Sequence, residues 1–209
     1  MKRIIVLLFF VSSALMAQKT KVVSGNFENL KGITEYNLVF DYVCDNVVGY
    51  PENVYINQRM QIYADEYNGI GNPKAGEIFK NSWYSNKKKF YEPTFIRSFN
   101  KRFDGEVKMG SNLTTAKYTA TLKTTYMSPG CMGCGGISSR TNAVITITET
   151  ANPNNVLLVY NFIMAEKVPV KTEKDKFKGV FDPEPGERVS EDYAKFAKMF
   201  ATDLKKFNK

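Results

Sequence analysis

The chain has 209 residues, 29 of them Lys or Arg and 21 Asp or Glu, a formal net charge of +8, and no histidine. Without imidazole, Ser-His-Asp and Cys-His nucleophile systems and every metal site built on histidine are excluded, leaving carboxylate, lysine, tyrosine or thiol chemistry. A hydrophobic content of 43%, with 15 Phe and 12 Tyr, excludes a disordered composition and provides for an aromatic core.

Met1-Lys2-Arg3 precedes an apolar run from Ile4 to Val11 and then small residues ending at Ala17, the pattern of an export signal. The run is shorter than the ~20 residues a spanning helix needs and is interrupted by Ser12 and Ser13, so cleavage leaving no transmembrane segment is expected. The cut falls after Ala17, although Leu15 is larger than the residue usually preferred there. No cysteine adjoins it, so no lipid anchor is expected. Residues 1–17 are then a signal peptide and 18–209 a single exported α/β domain, periplasmic or secreted. That domain is large enough to bury about 70% of its unfolded surface without obligatory disulfides. Losing Lys2 and Arg3 leaves 27 basic and 21 acidic residues, +6. This balance favours an acidic partner, an envelope protein or an anionic polymer, and nothing points to nucleic acid.

Tyr36 to Val43 alternates, with Tyr36, Leu38, Phe40 and Tyr42 on one side, and reads as a half-buried strand. Pro51 can open a helix running to about residue 67, with Tyr55, Met60, Tyr63 and Tyr67 near one face. Asn72-Pro73 starts a second helix carrying Phe79, Trp83 and Phe90. Pro93 should kink or restart it, after which Phe95, Phe99 and Phe103 recur every fourth residue. Residues 117–127 form a strand with a wet side, and 128–141 a glycine-rich loop. Residues 143–150 and 156–164 are strands joined by an Asn/Pro turn, a hairpin. Residues 166–189 read as an irregular excursion. Ser190 caps a last helix whose apolar stripe is Tyr193, Phe196, Ala197, Phe200, Leu204 and Phe207. The predicted fold is α+β, a mixed or antiparallel sheet of about four strands with helices packed on one face. No Gly-rich nucleotide-binding signature follows a strand.

Cys131-Met132-Gly133-Cys134 sits in a glycine-rich loop. A redox role requires the first thiol at a helix N-terminus, and Gly135-Gly136 is a poor helix start. Zinc requires four ligands, and Cys44 would bring the thiolates only to three. A structural disulfide is the better reading. The short Cys131–Cys134 loop closes at least entropic cost, with Cys44 to one of the pair as the alternative. No cofactor or metal site is expected.

Lys87, Lys88 and Lys89 lie between Trp83-Tyr84 and Phe90-Tyr91, an aromatic and basic mixture that suits a polyanion surface. Helical geometry argues more strongly for a solvated face opposite a buried Trp83 and Phe90. Asn112-Leu113-Thr114 matches a glycosylation acceptor by spacing alone.

Several segments together carry a resemblance: Ala17-Gln18 at the signal junction, the strand YNLVFDY, Asn81-Ser82-Trp83-Tyr84, the strand AKYTATLKTTY, the hairpin ITETANPNNVLL and the helix EDYAKFAKMFATDLKKF. They resemble an uncharacterised family of small exported α/β proteins of bacterial cell envelopes, with no established activity and no catalytic residues to carry over. The function expected is a non-enzymatic envelope protein that binds an acidic partner or supports assembly. The alternative is an exported carboxylate-dependent hydrolase acting on glycan, which would place two acids in one concave pocket.

Overall fold

A computed structural model describes residues 19–67, 74–130, 137–172, 174 and 185–207. Its elements are β1 (Lys19–Gly25), β2 (Glu35–Cys44), α1 (Glu52–Tyr67), α2 (Ala75–Asn86), a π-helical segment (Lys87–Tyr91), α3 (Glu92–Asn100), β3 (Lys108–Ser111), β4 (Tyr118–Ser128), β5 (Arg140–Glu149), β6 (Val156–Ile163) and α4 (Gly186–Lys205). The six strands form one mixed sheet in the order β1-β6-β5-β4-β2-β3. Pairing is antiparallel from β1 to β4 and parallel for β4–β2 and β2–β3.

The sheet is larger than the four strands expected. β1 (KTKVVSG) is an edge strand exposed along nearly its whole length, and β3 has only four residues. Neither has the alternating apolar pattern of a half-buried strand, because edge pairing is made by backbone groups and needs no apolar face. The expected hairpin is present as β5–β6.

One face of the sheet is covered. Across the ladder, Phe40 pairs with Leu122, Leu122 with Ile145 and Ile145 with Tyr160, all buried. α4 closes this side. Its Phe196 stacks on Phe162 at 4.7 Å between ring centroids, and Tyr193 packs on Phe40 at 5.3 Å and on Tyr91 at 4.9 Å. The helix begins at Gly186, earlier than the expected cap, and Ser190 lies inside it with its hydroxyl donating to the Glu187 carbonyl. The residues between those of the covered rows, among them Val39, Thr121, Thr146 and Val159, form a second paired row that is only partly buried or exposed. This is the open face.

A four-residue spacing organises α2 to α3. Phe79, Trp83, Lys87, Tyr91, Phe95, Phe99 and Phe103 are all buried. In a regular α-helix such a stripe drifts by about 40° at each step and would leave the core within a few turns. The π-turn at Lys87–Tyr91 absorbs the drift. There the Glu92 N–H donates to the Lys87 carbonyl five residues back. It ends two residues before Pro93, which sits in the first turn of α3.

Candidate functional site

Lys87 is where sequence reading and structure part. Expected on a solvated or polyanion-binding face with Lys88 and Lys89, it is instead buried, while Lys88 and Lys89 are exposed. The reason is helical phase: Lys87 follows Trp83 by four residues and so shares its inward face. Its ammonium group pairs with Glu52 at the start of α1 and donates to the Tyr42 carbonyl of β2. Glu52 also accepts from the Trp83 indole N–H at 2.8 Å and from the Cys44 backbone N–H at 3.1 Å. The carboxylate is therefore held by a charge and two further donors, which meets the condition for a buried ion pair to persist. This knot ties α1, the π-turn and β2 together, and it opens onto none of the clefts described below.

Cys44 is a free, buried thiol in the structure. Burial pushes its pKa up to about 12, and its Sγ donates to the Asn46 carbonyl at 3.3 Å. Such a thiol is chemically quiet. Cys131 and Cys134 themselves, like the signal segment, lie outside the described residues.

A second buried carboxylate, Asp192 of α4, accepts from Thr141 Oγ1 at 3.0 Å and pairs with Lys195 at 3.3 Å. Burial raises its pKa, partly offset by hydrogen bonds from Ser139 and Thr141 and by the Lys195 charge. It too lines none of the clefts.

The clefts bordered by described residues include the following three. One, about 450 Å³, is bordered by Gly32, Phe103, Glu106 and Lys205. A shallow one, also about 450 Å³, lies between α3 and α4; Glu187 and Glu191 share it with Arg97, Arg102, Lys195 and Lys198. Those two acids are one turn apart on the same helix and do not flank a substrate bond from opposite sides.

The third, about 660 Å³, sits at one end of the open sheet face. Tyr126 pairs with Asn142 and Ser128 with Arg140, which aligns these side chains on the face that the helices leave free. Ile163 and Lys19, paired across β6 and β1, bring in the other side. The wall is the segment Met164–Lys167. Asn142 fixes it, its Oδ1 accepting from the Met164 and Ala165 N–H groups and its Nδ2 donating to the Ala165 carbonyl, all at 2.8 Å. A Lys19–Glu166 ion pair bridges the rim.

The lining divides by chemistry. Ile137, Ile163, Met164 and Ala165 supply an apolar surface; Arg140, Lys167 and Lys19 supply positive charge; Tyr126, Ser128 and Ser138 supply hydroxyls. The Tyr126 hydroxyl bonds the Ser128 side chain. Burial raises its pKa more than the neighbouring Arg140 charge lowers it, so it stays protonated. Three cations face one acid, Glu166, which Lys19 already engages. Sequence reading placed Arg140 in a loop and missed this site, because its residues come from four separate segments and no local spacing marks them. Among the described residues, no group of three or more Cys, Asp or Glu is arranged to hold a metal, and no helix is long and apolar enough to cross a membrane. No family model, curated protein or solved structure matches the chain.

Proposed function

We propose that the chain is an exported, non-enzymatic envelope protein that holds an anionic partner in the cleft at the end of its open sheet face. One observation carries this reading: Arg140, Lys167 and Lys19 meet hydroxyl donors there, with a single, already paired carboxylate. Such a set attracts and orients an anion and lacks the second acid that glycan hydrolysis uses. The net positive charge of the chain favours the encounter. The earlier expectation of a surface at Lys87, Lys88 and Lys89 is replaced, since Lys87 is committed to Glu52.

Equilibrium binding of dextran sulfate at low salt tests the reading. The Arg140→Gln/Lys167→Gln variant is expected to bind at least about tenfold more weakly, and Lys88→Gln/Lys89→Gln within about twofold of wild type. Equal losses in the two variants would contradict it.

A further inference from the structure

The cleft that carries the proposed function is more than a basic patch, because its cations stand at the edge of an apolar surface. Ile163 and Met164 form part of the lining, and Ile137 beside them is an exposed large hydrophobic residue, 55% accessible. Ile137, Ile163 and Met164 thus make an apolar patch within the same lining as Arg140, a surface that the apolar part of a ligand would take out of water. A purely polar anion would satisfy Arg140, Tyr126 and Ser128 and leave this surface wet. An uncharged chain would cover the surface and leave the cations unused.

We infer that the cleft takes a free single-chain amphiphile, an aliphatic segment ending in a phosphate or carboxylate. The chain lies against Ile137, Ile163 and Met164. The anionic end meets Arg140, with Tyr126 and Ser128 as neutral donors and Lys167 as a second charge. At about 660 Å³ the volume falls in the range of small-ligand sites and accommodates one chain. The Asn142 hydrogen bonds hold the wall in place, which limits the ordering cost of binding. The inference rests on the anion-binding reading above, and its test separates the two.

The experiment is calorimetric titration of the protein with dodecyl phosphate below its micelle concentration, dodecanol and inorganic phosphate. Dodecyl phosphate is expected to bind at least about tenfold more tightly than either half alone. Arg140→Gln should remove most of its advantage over dodecanol. Ile137→Asn, at an exposed position where folding is not at stake, should remove most of its advantage over inorganic phosphate. If inorganic phosphate binds as tightly as dodecyl phosphate while the Arg140 dependence of dextran sulfate binding persists, the amphiphile is wrong and the anion reading stands. If neither anion depends on Arg140 or Lys167, both fall. Arg140-dependent sedimentation with phosphatidylglycerol vesicles without binding of monomeric dodecyl phosphate would overturn the inference in favour of a membrane surface.

Discussion

Lys87 and Glu52 form an ion pair whose side chains are only 4% and 9% exposed, joining the π-turn to the first turn of α1. Neither partner can be removed without leaving the other charged and buried. Lys87→Met is expected to cost about 3–5 kcal/mol, and Glu52→Gln a similar amount because Lys87 is then stranded. The double variant Glu52→Gln/Lys87→Met should be more stable than the sum of the single losses implies. Urea unfolding of all four proteins checks this, and strict additivity would contradict it.

Lys88 and Lys89, adjacent in sequence but exposed, should behave oppositely. Lys88→Gln and Lys89→Gln are expected to leave the thermal midpoint unchanged.

Gly76 of α2 packs against α1. A Cβ there would stand 2.6 Å from the Met60 carbonyl oxygen, which is backbone and cannot swing aside. Gly76→Ala would gain up to about 1 kcal/mol of helix propensity, yet separating the helices should cost more, about 1–3 kcal/mol. A net loss of stability is expected, and a gain would mean that the helices part at little cost.

Asp192 provides a pH test. Its pKa is raised above the ordinary 3.8 by burial, so in the window between the two values the folded state keeps a proton that the unfolded state has lost. Stability therefore falls as pH rises through that window. Asp192→Asn can still accept from Thr141 and removes this penalty. Its stability relative to wild type should improve from pH 3 to pH 7 in denaturant titrations, and a relative decline would contradict the sign.

Cys44, buried with its pKa pushed up to about 12, should resist alkylation in the native state and react once the chain unfolds. Mass-spectrometric mapping after iodoacetamide treatment with and without urea reads this directly.

Periodicity made much of the fold legible. The alternation of Tyr36, Leu38 and Phe40 defined β2, and the stripe from Tyr193 to Leu204 defined α4, because each buries one face against the same core. β1 and β3 were not legible, since backbone pairing at a sheet edge makes small demands on side chains. The burial of Lys87 was present in the spacing, four residues from Trp83 and four from Tyr91, but three consecutive lysines read more readily as a solvated run. Asp192 was masked in the same way by its place at the start of the predicted last helix. The cleft left no local trace, because Lys19, Tyr126, Arg140, Ile163 and Lys167 converge only when β1, β4, β5 and β6 pair.

The binding account is tested most directly by mapping backbone amide shifts in the isotope-labelled protein during titration with a short sulfated oligosaccharide. The account predicts perturbations centred on Ser128, Ser138, Arg140, Met164 and Lys167. Perturbations centred on Lys88 and Lys89, or on Arg97 and Lys198 between α3 and α4, with the cleft unaffected, would contradict it.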